Sequence, residues 1–414
     1  MDACSQPDLL AVDVALARIY QQLKPLSTRT HESEWVDVAH ALDRVLAESI
    51  MAAINVPAGD NSAMDGYAVK AADCSGPNAR LTLVGQALAG HPFEGALTAG
   101  QTVRIMTGAL VPAGADAVVM QENTERFAQA VHIQQQVSVG ENIRRAGEDI
   151  ALGEQVLAQG KRLGALEIGL LASLGMAQVA VYRRVRIAVV TTGDELLPAG
   201  AAPAMGKIFD SNRPLLLALL QRLAVDVMDL GIVADDPVAL KAAFTRAMSW
   251  ADLLISTGGV SVGDADYTRD VLTDMGEIDF WKIAMKPGKP LAFGALGTGW
   301  FFGLPGNPVS TAVTYHQIVV PSVRYFAGEQ LVVPSMLTAI AASPFKKQPG
   351  RMDFQRGILT TVQGINSVVS AGSQSSGVLR AMANANCYIC LARESGSVAV
   401  GDEVSVIPFD RYIQ

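Results

Sequence analysis

The spacing of apolar residues changes several times along the chain. Near the start, apolar side chains recur every three or four positions, which predicts an amphipathic helix over residues 9–23. A second helix is predicted over residues 39–48, and residues 163–175 show helical spacing again. Between them, residues 56–139 contain short β-type runs separated by Gly and Pro turns. The pattern therefore predicts a β-rich segment inserted between two helical ones.

Strands and helices alternate regularly after residue 183. Apolar strands are predicted at residues 185–191, 225–230 and 253–256 and near residues 293 and 301. Helices are predicted at residues 212–224, 237–250, 267–275 and 308–327. This alternation predicts an open, mostly parallel sheet that is covered by helices on both faces. Beyond residue 334, short strands and turns predict a small β domain.

These changes divide the chain of 414 residues into four predicted domains. Residues 1–50 and 145–183 together form a helical domain, which carries a β-rich inserted domain at residues 51–144. An α/β domain follows at residues 184–330. Residues 331–414 form the C-terminal β domain.

The composition narrows the classes of partner. Hydrophobic residues make up 50% of the chain and the net charge is -8, whereas nucleic acids and anionic membranes attract clustered Lys and Arg. The N-terminal residues do not have the basic and then apolar order of a signal peptide, and no apolar run reaches ~20 residues. Four cysteines are too few for a disulfide framework. We therefore expect a cytoplasmic protein that binds neither nucleic acid nor membrane.

Cysteine and histidine spacing argues against a structural zinc site and a metalloprotease. Cys387 and Cys390 form a lone CxxC in a predicted strand, where residues three apart point to opposite faces. The five histidines show neither an HExxH motif nor paired spacing.

Three predicted strands end in loops that could bind an anion. Ligands of open α/β sheets bind beyond the carboxyl ends of the strands, where backbone N–H groups and helix N-termini are available. The first loop reads Thr192-Gly193-Asp194-Glu195, the second covers residues 257–267, and the third covers residues 304–308 with the sequence Leu-Pro-Gly-Asn-Pro. We expect these loops to lie at one edge of the sheet.

The loop at residues 257–267 is the centre of the predicted site. Gly258, Gly259 and Gly263 permit a positive φ and close approach of the backbone to a ligand, and Ser261 adds a hydroxyl donor. These features suit the binding of a phosphate group. The loop is neither a Walker A motif nor a GxGxxG motif.

Other readings of these loops stay open from the residues alone. The glycine loop could be an ordinary turn capped by Asp264 or Asp266. Asp266 and Glu195 could hold Mg²⁺ against phosphate oxygens, or they could be charges near helix N-termini. Lys286 and Lys289, in Lys-Pro-Gly-Lys-Pro, could hold an oxyanion or lie in a solvated turn.

Two polar loops lie outside the α/β domain. Residues 60–69 read Asp-Asn-Ser-Ala-Met-Asp-Gly-Tyr-Ala-Val, and residues 144–150 read Arg-Arg-Ala-Gly-Glu-Asp-Ile. Each could be a turn with local salt bridges, which is the reading that the residues alone favour.

Taken together, these strings closely resemble one family. DNSAMDGYAV, RIMTGA, GEDI, TTGDEL, DSNR, GGVSVGDADY, KPGKP, LPGNPVS and PGRMDFQRG stand in the order of the molybdopterin molybdenumtransferases, which include bacterial MoeA and the gephyrin E domain. The match runs from about residue 60 to residue 357. The resemblance implies a MogA-like α/β domain and a C-terminal domain similar to a small β-barrel.

The resemblance also implies an activity. Enzymes of this family insert molybdate into adenylyl-molybdopterin and release AMP, with Mg²⁺ in support, as the last step of molybdenum cofactor synthesis. It implies a homodimer, and a transient contact with the molybdopterin adenylyltransferase is possible on the same ground. In the implied dimer, the α/β domain of one subunit faces the helical and β-rich domains of the other.

Site residues follow from the matching motifs. The residues implied to bind the pterin-phosphate and adenylate portions are Thr192, Gly193, Asp194, Gly258, Gly259, Ser261, Gly263, Asp264, Pro305, Gly306, Asn307 and Pro308. Catalytic roles are implied for Asp65, Thr107, Asp149, Glu195 and Asp266, of which the first three would reach in from a second subunit.

Metal and oxyanion sites are implied in the same way. The implied magnesium ligands are Asp266, Asp235 and Glu195. Molybdate is a tetrahedral dianion that needs cations and hydroxyl or amide donors, and the matching residues are Lys286, Lys289, Ser310, Arg351 and Ser376. The chain departs from the family near Ser376, where relatives often show Gly-Ser-Gly followed by Leu-x-Ser.

Two other functions are consistent with parts of the sequence and are alternatives to molybdate insertion. The adenylyltransferase that activates molybdopterin shares the α/β fold and glycine loop, but it has a single domain, and the large N-terminal half and β tail argue against it. A binding scaffold is the second rival, because gephyrin relatives cluster receptors. We see no linker or fused partner domain in the sequence, which favours an enzyme.

Overall fold

The computed structural model describes residues 9–28, 32–76, 78–258, 267–331 and 335–413. The α-helices of these residues cover Val12–Gln22, Ala165–Ser173, Asn212–Leu220, Pro237–Met248, Tyr267–Met275, Pro308–Thr314, Val320–Phe326 and Leu379–Ala383. No helix among the described residues is both long and apolar enough to cross a membrane.

A mixed seven-stranded sheet forms the centre of the molecule. From edge to edge its strands are Leu9–Leu10, Gly276–Ile283, Pro290–Leu296, Gly299–Leu304, Leu253–Thr257, Arg186–Thr192 and Asp226–Val233. The last four strands of this order are mutually parallel, which confirms the mostly parallel sheet predicted from the alternation. Pro290–Leu296 is antiparallel to both of its neighbours, because only two residues connect it to Gly299–Leu304 and so short a connection cannot make a crossover.

Helices cover both faces of this sheet, as the sequence predicted. Ile187 and Val189 point to one face, where they pack with the helices Asn212–Leu220 and Pro308–Thr314. Ala188 and Val190 point to the other face. There they pack with Leu240 and Phe244 of the helix Pro237–Met248 and with Leu272 of the helix Tyr267–Met275. Side chains of a strand alternate between its two faces, so a strand with apolar residues at every position is buried on both sides.

The inserted region is β-rich, as predicted. Its six strands are ordered Ala117–Met120, Gly66–Val69, Gln101–Ile105, Ala79–Ala87, Ala130–Ile133 and Thr124–Phe127. Separate apolar clusters lie on the two sides of this sheet, one around Val69 and Val119 and the other around Val103 and Val118. The sheet is therefore a folded unit with its own core.

The predicted helical domain contains less helix than expected. Among the described residues of its two segments, the helix Ala165–Ser173 packs against two pairs of short strands. One pair is Ser33–Asp37 and Gln178–Tyr182, and the other is Ile50–Met51 and Gln155–Leu157. The first helix, Val12–Gln22, instead packs its buried face on the core of the central sheet. The exact domain boundaries stay a prediction.

The helix predicted over residues 39–48 is wrong. A 3₁₀ turn covers Val38–His40, and Asp43 then adopts a left-handed φ of 64° that interrupts any helix. Val45 and Leu46 form antiparallel bridges with residues of the second segment of this domain. Pairing with a distant part of the chain overrides the local helical spacing here.

The C-terminal region is a closed five-stranded barrel, as the resemblance implied. Around the barrel the strands are Met352–Val362, Ile365–Ser370, Leu337–Ala341, Glu403–Pro408 and Cys387–Leu391, and the last pairs again with the first. The short strand Met285–Lys286 of the α/β region pairs in parallel with Met352–Val362 and joins the barrel to the central sheet region.

Cys387 and Cys390 point to opposite faces of their strand, as predicted. Cys387 lies in the barrel core, whereas Cys390 lies in the core of the central sheet region. Burial raises the pKa of Cys387 to about 11 and that of Cys390 to about 12. The two thiols therefore behave as apolar core side chains rather than as a ligand pair.

The long helix predicted over residues 308–327 is divided into three parts. Pro308–Thr314 and Val320–Phe326 are α-helical, and Tyr315–Val319 between them is a π-helical turn. Pro321 has no N–H, and its ring would clash with the carbonyl of Gln317 in a regular α-helix. The wider π turn accommodates this proline without ending the helix.

Candidate functional site

Three parallel strands end at the same level of the central sheet. Thr191 pairs with Thr257, and Thr257 pairs with Leu304 in the next strand. The three loops that were expected at one edge of the sheet therefore begin side by side. We call the residues at this edge, Thr191, Thr192, Ser256, Thr257, Gly258 and Gly306, the strand-end cluster.

Gly258 is required at the centre of the strand-end cluster. Its φ is 87°, and a Cβ built there would lie 2.4 Å from the carbonyl oxygen of Thr192. Gly306 approaches from the third loop, since a Cβ on Gly306 would lie 4.0 Å from the Cα of Gly258. Only a glycine tolerates both the left-handed conformation and the close contact with Thr192.

Asn212 links two of the three loops. Its Nδ2 donates a hydrogen bond to Thr257 Oγ1 at 2.8 Å and another to the carbonyl oxygen of Gly306 at 2.7 Å. Asn212 begins the helix Asn212–Leu220 and is buried. Sequence reasoning did not select it as a site residue, although it lies in the DSNR string that contributed to the family resemblance.

Buried hydroxyl groups of the strand-end cluster have unused hydrogen-bonding capacity. Thr191, Thr192 and Ser256 are almost completely buried, and their hydroxyl oxygens have no hydrogen-bond partner among the described residues. A buried hydroxyl without a partner costs free energy, so such groups are candidates for contact with a ligand. The predicted site residues Gly259, Ser261, Gly263, Asp264 and Asp266 lie outside the described residues.

Three carboxylates lie beside the first loop. The backbone N–H of Asp235 donates to Asp194 Oδ1 at 3.2 Å, and a Cβ on Gly193 would lie 2.5 Å from Glu195 Oε2. Burial raises the pKa of Asp235, and the charges of Asp194 and Glu195 raise it further. The sequence implied a role for each of Asp194, Glu195 and Asp235, and the fold brings Asp235 close to the other two.

The third loop continues directly into a helix. Asn307 precedes the helix Pro308–Thr314 but its side chain makes no capping hydrogen bond. Thr311 Oγ1 donates to the carbonyl oxygen of Pro305 at 2.6 Å and holds the loop against the first turn.

The segments that carry the residues expected to bind an oxyanion lie beside one another where the barrel joins the α/β region. Gly288 lies against the helix that carries Ser310, because a Cβ on Gly288 would be 2.5 Å from Thr314 Oγ1. Val309 N–H donates to the carbonyl oxygen of Ser376 at 3.1 Å, so Ser376 is held beside Ser310.

The cations of this junction follow from strand pairing. Lys286 pairs with Asp353 in the parallel register that joins the barrel to the central region, and Arg351 lies just before the barrel strand. The carbonyl oxygen of Lys289 accepts a hydrogen bond from Ile283 N–H at 2.7 Å, which closes the Lys-Pro-Gly-Lys turn. We call the surroundings of Lys286, Lys289, Ser310, Arg351 and Ser376 the junction pocket.

Sequence reasoning missed three buried charged residues near the junction pocket. Lys347, Asp353 and Arg356 are each less than a tenth exposed. Arg356 Nη2 donates to the carbonyl oxygens of Ser373 and Ser375, both at 3.4 Å. The PGRMDFQRG string contained two of these residues, but nothing in its pattern indicated that they are buried.

Asp65 and Thr107 form a defined pair at the surface of the β-rich region. Asp65 Oδ1 accepts hydrogen bonds from the backbone N–H and from the hydroxyl of Thr107, both at 2.7 Å. These two bonds lower the pKa of Asp65, the backbone bond being the larger cause.

The two polar loops outside the α/β region contact each other. Asp60 accepts a hydrogen bond from Ala146 N–H at 2.9 Å and forms an ion pair with Arg145 at 2.5 Å. The Ala146 bond is the larger cause of a lowered pKa of Asp60. Asp149 is exposed in the same loop. Within the described part of the chain, no hydrogen bond or ion pair joins Asp65, Thr107 or Asp149 to the strand-end cluster.

The α/β region that carries the strand-end cluster matches the molybdopterin-binding class of domains, as a family model indicates. The model described as "Probable molybdopterin binding domain" matches residues 188–325. The model for the MoeA N-terminal region (domain I and II) matches residues 10–175, and that for the MoeA C-terminal region (domain IV) matches residues 338–409.

Whole-length relatives agree with these matches. A molybdopterin molybdenumtransferase of Haemophilus influenzae is 43% identical over 98% of this chain and 100% of its own length. One of a Nostoc species is 35% identical over 94% of this chain and 92% of its own. The crystal structure of a molybdopterin biosynthesis moeA protein from Pyrococcus horikoshii covers 97% of this chain with a TM-score of 0.84 and 26% identity. The chain therefore belongs to the molybdopterin molybdenumtransferase family, and it is a transferase.

Proposed function

We propose that this protein carries out the last step of molybdenum cofactor synthesis, in which molybdate is inserted into adenylyl-molybdopterin and AMP is released. The two dithiolene sulfurs replace two oxygens of molybdate, which leave as water with protons from the thiols and the solvent. One water hydrolyses the phosphoanhydride, which frees AMP and leaves the other phosphate on the pterin. The observation that carries the proposal is the strand-end cluster, set in a chain that resembles molybdopterin molybdenumtransferases over its whole length. The cysteine usage agrees with a cytoplasmic setting.

The strand-end cluster would bind the pterin phosphate and adenylate portions. Gly258 allows the second loop to pass close to the carbonyl of Thr192 in the first loop, and Asn212 fixes the distance between the second and third loops. The unpartnered hydroxyls of Thr191 and Thr192 could donate to phosphate oxygens. Positioning and charge neutralisation, rather than a covalent step, would supply most of the rate.

Magnesium fits the acids of the first loop in part. Burial and, after it, the charges of Asp194 and Glu195 raise the pKa of Asp235, and a divalent cation would relieve the repulsion that these two charges exert on Asp235. The described residues alone do not form a group of three or more metal-ligating side chains, so Asp266 or substrate phosphates would complete the set. Bound Mg²⁺ would neutralise phosphate charge. Glu195, which lies beside Gly193, would orient the oxygen that attacks the phosphoanhydride.

The junction pocket would hold molybdate. Lys286, Lys289 and Arg351 supply positive charge, and Ser310 and Ser376 supply hydroxyl donors, which together suit a tetrahedral dianion. The Val309 to Ser376 hydrogen bond keeps the barrel loop close to the helix that carries Ser310.

The active form would be a homodimer with a shared site. Asp65, Thr107 and Asp149 are at the surface, and in the part of the chain that the structure describes no hydrogen bond or ion pair joins them to the strand-end cluster, which supports a role for them in the site of a second subunit. Transient contact with the molybdopterin adenylyltransferase would deliver the substrate. Sedimentation velocity tests the dimer, and a fully active monomer would contradict it.

Reconstitution of a molybdoenzyme tests the proposed function. Purified protein is incubated with adenylyl-molybdopterin, Mg²⁺ and molybdate, and the regained activity of an added apo-molybdoenzyme is measured. We expect wild-type protein to restore activity, and omission of molybdate or Mg²⁺ to prevent it. Failure of the folded wild-type protein under complete conditions would overturn the proposal.

Two glycine variants test the strand-end cluster in the same assay. Gly258→Ala should abolish reconstitution, because its Cβ would strike the Thr192 carbonyl. Gly153→Ala is the matched control, since Gly153 has a similar φ of 83° but no atom within 4 Å of the added Cβ. Full activity of the Gly258→Ala protein would contradict the assignment of the strand-end cluster to the substrate site.

A further inference from the structure

Asp353 is a buried carboxylate beside the junction pocket that no role assigned so far uses. Its Oδ2 lies 3.6 Å from Lys286 Nζ, and its side chain is 4% exposed whereas that of Lys286 is 46% exposed. Gln355 Nε2 donates to the same oxygen at 3.1 Å and to the carbonyl oxygen of Lys346 at 2.9 Å. Asp353 is therefore fixed in place, while Lys286 is a long side chain with room to move.

Two further cations near Asp353 have carbonyl oxygens as their hydrogen-bond acceptors. Lys347 Nζ donates to the carbonyl oxygen of Ser395 at 2.9 Å and, at 3.4 Å, to those of Gln348 and Arg393. Arg356 donates in the same way to backbone carbonyls. Lys286, Lys347 and Arg356 thus lie near Asp353, and Glu394 is a second carboxylate near Lys347.

Burial and the neighbouring charges act in different directions on Lys347. Burial lowers the pKa of Lys347, the charges of Asp353 and Glu394 oppose that shift, and the nearby Lys286 adds to it. Lys347, Asp353 and Lys286 are thus close enough to influence one another. A dianion that enters the junction pocket would meet both the cations and the fixed negative charge of Asp353.

We propose that Asp353 is the counter-ion of Lys286 when no oxyanion is bound. Lys286 must leave Asp353 to contact the oxyanion, and this exchange of partners weakens oxyanion binding. The inference rests on the proposed binding of molybdate in the junction pocket. Without its counter-ion, Lys286 would be free to bind the dianion and no fixed carboxylate would repel it. Asp353 acts through Lys286, so it is a positioning residue. It sets the affinity for molybdate and thereby how readily molybdate is transferred to the dithiolene.

Calorimetric titration of the purified full-length protein with molybdate tests this inference. Asp353→Asn keeps the size of the side chain and removes its charge. We expect its Kd for molybdate to fall by about tenfold, which corresponds to ~1.4 kcal/mol. A merely structural role of Asp353 would raise the Kd, so an unchanged or raised Kd in a folded variant overturns the inference. Asp353→Ser is a second neutral replacement with the same expected direction.

Three companion proteins make the result specific. Asp353→Glu retains the charge and should bind molybdate as wild type does. In a Lys286→Gln background, Asp353→Asn should no longer tighten binding by the same factor, because the exchanged cation is gone. Asp252→Asn removes a mostly buried carboxylate that is paired with Arg183 at the opposite end of the strands, and it should leave the Kd unchanged.

The same titration separates this inference from the proposed function. If wild-type protein binds molybdate and Lys286→Gln weakens that binding, the junction pocket stands whatever Asp353 does. If wild-type protein binds no molybdate, both the pocket and the inference are overturned.

Discussion

Asn212 holds together two loops whose contact residues lie 45 and 94 positions further along the chain. The bond to Thr257 fixes the start of the glycine loop, and the bond to Gly306 fixes the third loop. A side-chain amide suits this role because it donates two hydrogen bonds from one nitrogen. The strand-end cluster therefore depends on one buried side chain as much as on its glycines.

Asp65 offers a measurable electrostatic test of a single residue. Thr107→Val removes the hydroxyl donor but keeps the backbone N–H bond, so the pKa of Asp65 should rise part of the way to its ordinary value. If Asp65 must be ionised in the reaction, the acid limb of the activity profile moves to higher pH with it. Carbon-detected NMR titration of the carboxyl group measures the pKa.

Thr124→Val is the matched control for this change. The Thr124 hydroxyl donates to the carbonyl oxygen of Gln121 and has no hydrogen bond to Asp65. Its replacement should leave the titration of Asp65 unaltered. An unchanged pKa in the Thr107→Val protein would contradict the assigned hydrogen bond.

At the residue scale, the sequence predicted residue types better than partners. Gly258 was expected to permit a positive φ, and it has one. The role of Asn212 could not be predicted, because both of its partners are distant in sequence and meet it only in the folded sheet. The same holds for Asp353, whose burial depends on strand pairing with Lys286.

At the scale of elements, local periodicity predicted the α/β alternation and failed where distant contacts decide. Tyr267–Met275 has the predicted bounds, since its pattern and its packing agree. Residues 39–48 follow the pairing of Val45 and Leu46 with other segments instead of their own spacing. The strand Pro290–Leu296 was predicted near residue 293, but its antiparallel direction was not, because periodicity does not reveal strand direction.

The C-terminal tail after the last barrel strand ties three regions together. Asp410 Oδ1 lies 3.0 Å from His316 Nε2, and Arg411 forms an ion pair with Asp43. Phe409 packs its ring on Tyr388 of the barrel, with centroids 4.7 Å apart. Although burial acts to raise it, the bond to His316 and the nearby charges leave the pKa of Asp410 lowered.

Asp410→Asn should therefore destabilise the protein in a pH-dependent way. A carboxylate with a lowered folded-state pKa contributes stability above its unfolded-state pKa and loses it as the pH falls through the folded-state value. We expect a loss of ~1 kcal/mol at neutral pH, a modest figure because the side chain is 45% exposed. The difference from wild type should shrink in acid.

Urea unfolding at several pH values measures this effect. Asp226→Asn, which changes an exposed carboxylate at a strand end, should have little effect at any of them. A loss of stability in the Asp410→Asn protein that does not depend on pH would contradict the assigned role of the tail.

At the scale of the whole molecule, the arrangement of domains exceeds what the pattern could predict. The barrel closes through the pairing of Met352–Val362 with Cys387–Leu391, and such closure is not encoded in any local period. The first helix joins the central core instead of a helical domain, because its apolar face is buried there. Motifs in order along the chain indicated the family, but not these contacts.

The candidate residues form three groups in different regions of one chain. The strand-end cluster and the junction pocket belong to the α/β region and its contact with the barrel, whereas Asp65, Thr107 and Asp149 lie outside it. The proposed reaction needs a phosphate site, an oxyanion site and acidic groups near one another. The proposed homodimer would bring the third group to the first two.

Release of AMP on addition of molybdate tests the central claim most directly. Protein is first saturated with adenylyl-molybdopterin and Mg²⁺, molybdate is added, and AMP and protein-bound or released molybdenum cofactor are quantified together. The account predicts that AMP appears only after molybdate is added and in equal amount to the cofactor formed. AMP release at the same rate without molybdate, or no release with it, would contradict the account.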